Sequence, residues 1–369
     1  MKILINLIGG QPVPNYLAAK EIQPDKILNI YSSASDKVME SLNKILGIEQ
    51  LPPLKVNPFD FNQIYNSLLD FAKNNNNEIV VNITGGTKIM SIAAFEVARQ
   101  ISLKSIYIDS ENHLLYEFYK DVIEKKTLEK KISIKDYFNL HGFLNVKENK
   151  TVYSEDEVME YNKFDKMIST NPGIVTNVLE LTDRIGQNKR KNKKHWLKEN
   201  VIITKGENFF EWKEGKGKII YKKNNIEYKF NFKDEKFLNY HNGKWFEKEI
   251  FSRIKKSRKY DEVLMNYEIY NDENVLLNEL DIVAIKNEKL DIYECKSGGL
   301  FQDDLNKLKA IKDTLGRYSK IHLITYFNIQ ANTENEKIVR QKLNDYKIKN
   351  YFYFKQKLDF KEDRRNANL

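Results

Sequence analysis

The chain has 369 residues, 41% hydrophobic and 12% aromatic with 7 Pro and 15 Gly, a globular composition long enough for two cores. Its formal net charge of +9 gathers in the second part, since residues 1–150 hold 18 Lys and Arg against 17 Asp and Glu and the remainder holds 43 against 35; that asymmetry points to a polyanionic partner. One cysteine excludes a disulfide framework or a thiolate zinc site within the chain, "MKILINLIGG" is too short an apolar run for a secretory core, and no window reaches a membrane-spanning length, so a cytoplasmic protein with no membrane partner is expected.

Residues 2–8, 26–31, 78–83 and 105–109 read as short apolar strands, with helical patterns at 35–46, 60–74 and 88–101. Strands alternating with helices predict a parallel sheet covered on both faces. Residues 114–119 add a strand, and 132–142 read as a short closing helix stopped by Gly142. An α/β domain is therefore expected over residues 1–143. The connecting region, 144–235, holds a Lys/Asn-rich run, "GQNKRKNKKHWLK". Three strand-like pieces follow it, "NFFEW", "GKIIYKK" and "IEYKFNF", and predict a small β meander. Residues 236–369 read as helix, strand, hairpin (279–296), helix (301–316) and strand, a second α/β domain. No internal repeat is present.

The hairpin "NELDIVAIKNEKLDIYECKSGG", residues 278–299, sets charged side chains among apolar neighbours. Its polar interruption, 286–289, is the natural turn. With Ile285 opposite Leu290, Asp281 falls opposite Glu294 and Glu279 opposite Lys296. Strand alternation places all four on one face and Cys295 on the other. Directly opposed Cβ atoms are roughly 4.5–5.5 Å apart, where like charges destabilise. A bound divalent cation reverses that logic and keeps both carboxylates ionised. Glu247, on the preceding helix, shares a side with Phe251 and Ile254 and so lies at the edge of the packed face. Three hard oxygen donors suit Mg²⁺ or Mn²⁺ rather than zinc.

The joint pattern of a helix Glu, an Asp and E-x-K thirteen positions on resembles the PD-(D/E)XK nuclease core. Glu247 stands in its first helix, Asp281 in its first motif, and Glu294-Cys295-Lys296 in its second. Leu280 stands where that family often has Pro. The resemblance implies a restriction-endonuclease-like domain in which Glu247, Asp281 and Glu294 hold metal. It also implies that Lys296 orients the attacking water and offsets charge on the phosphorane, chemistry that such a cluster supports. A competing pattern, Arg190 and His195 in R-x4-H spacing, is similar to that of metal-independent HEPN ribonucleases. Its polar setting reads better as a solvated basic segment.

Two loops follow predicted strands at their carboxyl ends, "GGQPVPN" (9–15) and "TGGTK" (84–88), the edge where open α/β sheets bind ligands. The second lets backbone N–H groups approach a phosphate while Lys88 opens a helix. It is not a Walker A loop, because Thr87 separates Gly86 from Lys88. Together with the carboxyl "GKWFE…NELD…ECKS", these loops resemble the CRISPR ancillary nucleases that join a Rossmann-like CARF sensor to a PD-(D/E)XK domain. That resemblance implies a homodimer that binds cyclic oligoadenylate, usually the tetramer, and then cleaves DNA, RNA or both. By position, Gly9, Gly10, Gln11 and Asn15 would line one side of the messenger and Thr84, Gly85, Gly86, Thr87 and Lys88 the other. A cyclic tetramer and a closed homodimer share two-fold symmetry. The alternative from a different class is a non-catalytic CARF transcriptional regulator.

Overall fold

The computed structural model describes residues 1–150, 154–192, 200–233, 235–298, 300, 302–316, 318–326 and 333–353, at 190–192 by the backbone alone. It divides into two compact units. One comprises Met1–Glu148, Tyr260–Ile292 and Ala310–Lys320, the other Asn149–Lys259, Tyr293–Lys309 and Ile321–Leu369. Among the described residues no helix is long and apolar enough to cross a membrane.

The amino-terminal elements are β1 (Lys2–Leu7), α1 (Val13–Ile22), β2 (Lys26–Tyr31), α2 (Asp36–Leu46), β3 (Glu49–Gln50), β4 (Leu54–Lys55), α3 (Phe61–Lys73), β5 (Glu78–Asn82), α4 (Lys88–Gln100), β6 (Lys104–Asp109), β7 (Leu114–Tyr119), β8 (Val122–Thr127) and α5 (Ile134–Leu140). The sheet runs β3-β2-β1-β5-β6-β7-β8, with β4 also paired to β2. Pairing is parallel from β2 through β6, and β7 and β8 close it antiparallel. The α/β expectation therefore holds, with the parallel strands nearly at their expected bounds.

Period-2 alternation explains the layering. Ile3, Ile5, Leu7, Leu28, Ile30 and Val81 pack into one core with Ile64 and Leu68 of α3 and with Ala93, Ala94 and Val97 of α4. The small residues of α4 let that helix lie close to the strands. Leu4, Ile27 and Val80, one step out of phase, are equally buried. Helix α1 was not expected from sequence. Pro12 and Pro14 open it and Val13 through Ala19 are all buried, so no amphipathic stripe marks it. Strand β8, "VIEKKT", was also missed, because every residue in it is exposed.

The remaining elements are β9 (Asn145–Glu148), α6 (Glu155–Thr170), α7 (Val175–Asn192), β10 (Val201–Lys205), β11 (Asn208–Lys213), β12 (Lys216–Lys223), β13 (Ile226–Phe232), α8 (Glu235–Asn239), α9 (Trp245–Lys256), β14 (Glu262–Tyr270), β15 (Leu276–Lys286), β16 (Lys289–Lys296), α10 (Gln302–Leu315), β17 (Ser319–Thr325), α11 (Glu334–Asp345) and β18 (Lys349–Phe352). The meander is four-stranded, β10-β11-β12-β13, one strand more than the sequence suggested. A second sheet runs β18-β17-β16-β15-β14-β9. Its edge strand β9 comes from the connecting region and pairs antiparallel with β14.

An aromatic core joins α6 to the meander. Phe164 meets Phe230 edge-on at 5.5 Å, and Tyr161 stacks on Tyr240 at 4.2 Å. His241 is fully buried there, stacked on Tyr221 and hydrogen-bonded to its hydroxyl. Burial pushes the His241 imidazole down to about 4. The unfolded chain, with an ordinary imidazole, therefore binds a proton in a range where the folded chain does not. The resulting stability is full above about pH 6.5 and is lost as pH falls from there towards 4, a change on the order of 3 kcal/mol. Urea midpoints should drop between pH 7 and pH 5 more steeply in the native chain than in His241→Gln. Equal slopes would place the titration elsewhere.

Candidate ligand loops and nuclease hairpin

The first loop leaves β1 at Leu7 and the second leaves β5 at Asn82, neighbours in a parallel sheet whose carboxyl ends lie side by side. Asn82, which sequence reasoning did not single out, ties them together. Its side-chain nitrogen donates to Asn6 Oδ1 (3.0 Å) and Asn15 Oδ1 (2.9 Å), and its oxygen accepts from the backbone N–H (3.1 Å) and hydroxyl (2.6 Å) of Thr84. Asn15 in turn donates to the Leu7 carbonyl at 3.0 Å. Asn15 is thus fully buried beneath the loops. The available signal for Asn82 was an amide within an apolar strand, since buried polar groups must find partners.

Glycine is required where the loops meet. A Cβ on Gly85 would lie 2.0 Å from the Leu7 carbonyl oxygen, and one on Gly9 would lie 2.9 Å from the Gly86 nitrogen. Gly86 also has φ of +71°. Gly10 is exposed with open space around it. Thr84 Oγ1 accepts from the Ile108 N–H at 2.7 Å, anchoring the second loop to β6. Thr87 caps α4, accepting from Met90 N–H at 3.2 Å. Lys88 is the first residue of that helix and is exposed. An exposed ammonium beside capped, amino-terminal N–H groups is an arrangement that attracts an anion.

In the hairpin, β15 ends at Lys286 and β16 begins at Lys289, leaving Asn287 and Glu288 as the turn. The tip is held from several sides. Glu288 is fully buried with Oε1 2.8 Å from His113 Nδ1, and burial pushes its carboxyl above the ordinary range although His113 opposes the shift. Asn287 N–H donates to Asp261 at 2.7 Å, and Lys289 Nζ donates to the Glu111 carbonyl at 2.9 Å. Burial alone would raise the Asp261 carboxyl, but Lys131 and the Asn287 N–H hold it below the usual carboxylate value.

Asp281 is half-buried on β15, between buried Leu280 and Ile282. The β14–β15 register pairs Met265 with Ile282 and Tyr267 with Leu280, which places Asn266 across from Asp281. Asn266 was not foreseen from sequence. It has φ of +51°, and its buried Oδ1 has no hydrogen-bond partner among the described residues. Such strain inside a strand is characteristic of functional sites.

On β16, Glu294 and Lys296 are half-buried while Cys295 between them is buried, as alternation requires. Lys296 Nζ lies 2.8 Å from Glu294 Oε1 and 3.5 Å from Asp304 Oδ1 on α10. Glu247 is half-buried on α9, beyond the buried row of Trp245, Phe246, Ile250 and Ile254. Neighbouring strands therefore carry Asp281 and the Glu294–Lys296 pair. Among the described residues, no three His, Cys, Asp or Glu side chains are gathered closely enough to hold a metal ion. The donors are of the hard-oxygen type that Mg²⁺ and Mn²⁺ prefer. Arg190 falls on α7, and His195 lies outside the described residues.

Residues 3–137 match the family model of the Card1 CARF domain, and residues 234–350 match that of the Card1-like endonuclease domain. No curated protein matches the chain. Among solved structures, protein VC1899 from Vibrio cholerae aligns with a TM-score of 0.70 at 18% identity, over 95% of this chain and 94% of that one. Can2 from Sulfobacillus thermosulfidooxidans, solved with cyclic tetra-adenylate, aligns with a TM-score of 0.68 at 19% identity, over 95% of each chain. At these identities the likeness is one of fold. The two family matches rest on the chain's own residues, and by them it belongs to the family that joins a Card1-type CARF domain to a Card1-like endonuclease domain.

Proposed function

We propose that this protein is a nuclease of type III CRISPR antiviral defence, a homodimer switched on by cyclic tetra-adenylate, that cleaves DNA, RNA or both with Mg²⁺ or Mn²⁺. The observation that carries the reading is the Glu294–Lys296 pair at 2.8 Å, on the strand next to the one bearing Asp281, within a chain that contains an endonuclease domain. Glu247, Asp281 and Glu294 would hold the metal, which when bound supplies Lewis-acid polarisation of the phosphate and of a water. Glu294 holds the Lys296 ammonium in the half-buried face of β16. From there the ammonium orients the attacking water and offsets charge that develops on the phosphorane.

The messenger reading is supported by the two glycine loops at the carboxyl edge of the parallel sheet, by exposed Lys88 at the start of α4, and by the fold shared with Can2, which was solved with that ligand. Gly9, Gly10 and Gln11 would line one side and Thr84 through Lys88 the other, with Asn15 supporting both from below. The deciding experiment is cleavage of labelled RNA and DNA with each cyclic oligoadenylate, with Mn²⁺ or with EDTA. Cleavage that survives EDTA would point instead to Arg190 and His195. Messenger binding without any cleavage would mark a non-catalytic regulator.

Asp281→Asn and Glu294→Gln should each abolish Mn²⁺-dependent cleavage while messenger affinity, measured by calorimetry, stays within twofold. Wild-type cutting by either variant would overturn the site. Lys296→Ala should still bind metal but turn over at least a hundredfold more slowly, the scale of losing one transition-state charge stabiliser.

Lys88 should contribute charge-assisted hydrogen bonds to a messenger phosphate, each about 1.5–3 kcal/mol. In a two-fold dimer the contact occurs twice, so Lys88→Ala should weaken messenger binding at least tenfold. The rate at saturating messenger should recover. An unchanged activation curve would remove Lys88 from the ligand site.

A further inference from the structure

The meander β10–β13 lies between the two family-matched segments and holds no residue of either proposed site. Its inner face, with rows such as Ile203–Phe210–Ile219–Phe230, is buried and packs on α6 and α7. By the same register the outer face carries Lys213, Lys216, Lys218, Lys222 and Lys229 against Glu211 and Glu227. Lys213, Lys216, Lys222 and Lys229 are exposed. Lys222 lies 3.6 Å from Glu227, whereas Lys213, Lys216, Lys218 and Lys229 have no ion pair among the described residues.

Two ordinary reasons for surface lysines fall short here. Lysine protects sheet edges from pairing, but β11 and β12 are interior strands and carry four of the five. Solubility is served by interspersed charges, yet Lys213 stands directly opposite Lys216, where like charges destabilise the pair. A bound polyanion reverses that cost. Apolar atoms sit among the cations. Lys218 Nζ is 5.2 Å from the centroid of the half-buried Phe209 ring, and Ile202, a diagonal neighbour on β10, is 67% exposed. Cations around an aromatic ring are the pattern that holds a phosphate backbone and stacks a base without regard to sequence.

We propose that the outer face of the meander is a nucleic-acid exosite of the proposed nuclease. The ammonium groups of Lys213, Lys216 and Lys229 take backbone phosphates, and Phe209 offers its ring to a base once Lys218 turns to a phosphate. The identity of the partner rests on the nuclease reading above; the charged face does not. Phosphate contacts of this kind position a strand and carry no sequence information, so the face would hold RNA and DNA alike. An anionic lipid surface fits less well, because the face is built of strands and lacks the apolar side of an interfacial helix.

The test measures binding of labelled RNA and DNA oligonucleotides of mixed sequence to the full-length protein, in EDTA so that metal-dependent cleavage cannot consume the probe. Replacing three lysines together (Lys213→Gln, Lys216→Gln and Lys229→Gln) should weaken binding of both at least tenfold. The slope of log affinity against log salt should become shallower by about two for a single strand. A control that removes equal charge from exposed positions of α2 and α3 (Lys37→Gln, Lys44→Gln and Lys73→Gln) should stay within twofold of native. Phe209→Leu should weaken binding at least threefold at an unchanged slope, and native affinity there would remove the ring from the exosite. Native affinity in the lysine variant, equal losses in variant and control, or no oligonucleotide binding by the native chain overturns the proposal. So does loss of phosphatidylglycerol-vesicle binding in the lysine variant with oligonucleotide affinity intact, which would mark a lipid surface. Lysine-dependent binding in a chain that never cleaves with Mn²⁺ and messenger would leave the exosite standing and overturn the nuclease reading instead.

Discussion

The amide of Asn82 is the contact on which the ligand edge of the first sheet depends. A parallel strand that ends in a buried layer leaves polar groups with no water to satisfy them, and each unpaired group costs about 1–3 kcal/mol. Asn82 meets this by bonding in four directions, to Asn6, to Asn15 and twice to Thr84. Those bonds determine where two loops leave two strands. The glycines follow from it: with the Leu7 carbonyl accepting from Asn15, only a residue without Cβ fits at 85. The fold itself thus builds the loops, so ordering them would consume none of the binding energy of the proposed messenger.

The second sheet faces the opposite problem. Its hairpin has to keep carboxylates and an ammonium on one side while Leu280, Ile282, Tyr293 and Cys295 are buried on the other. Register is the variable that decides this, because a slip of one residue would bury every charge. A short turn at Asn287–Glu288 sets that register, and the turn is clamped by His113, Asp261 and Glu111. A fully buried Glu288 would be unfavourable alone; against His113 it becomes a directional anchor. The charged face is stable because its tip is fastened elsewhere.

Much of this was legible in the sequence because it is local. Apolar runs such as "KILINLI" and "EIVVNI" announce buried parallel strands, and the alternation through Glu294, Cys295 and Lys296 announces which side chains share a face. What escaped depends on partners far along the chain. Helix α1 is buried on all sides and has no stripe; β8 is exposed throughout and is a strand only because β7 pairs with it. Strand β9 belongs to the second sheet through β14, more than a hundred positions later. Within the site, Glu294 and Lys296 were visible as a motif. Asn266, His113 and Asp304 acquire meaning only from register, turn contact and helix packing, none of which composition or spacing encodes.

These two constraints together say what kind of switch the molecule can be. A ligand shifts an equilibrium only by the difference in its affinity for two states, so something near the loops has to differ between them. The amide network beneath the loops is a poor candidate for that element, since Asn82 ties Asn6 and Asn15 together by buried bonds. Gln11 differs in kind, with a buried oxygen lacking a partner and a side chain resting on the end of a helix. The hairpin tip, clamped on several sides, is likewise a poor candidate for motion. Lys296 makes carboxylate contacts at 2.8 and 3.5 Å and is a quarter exposed.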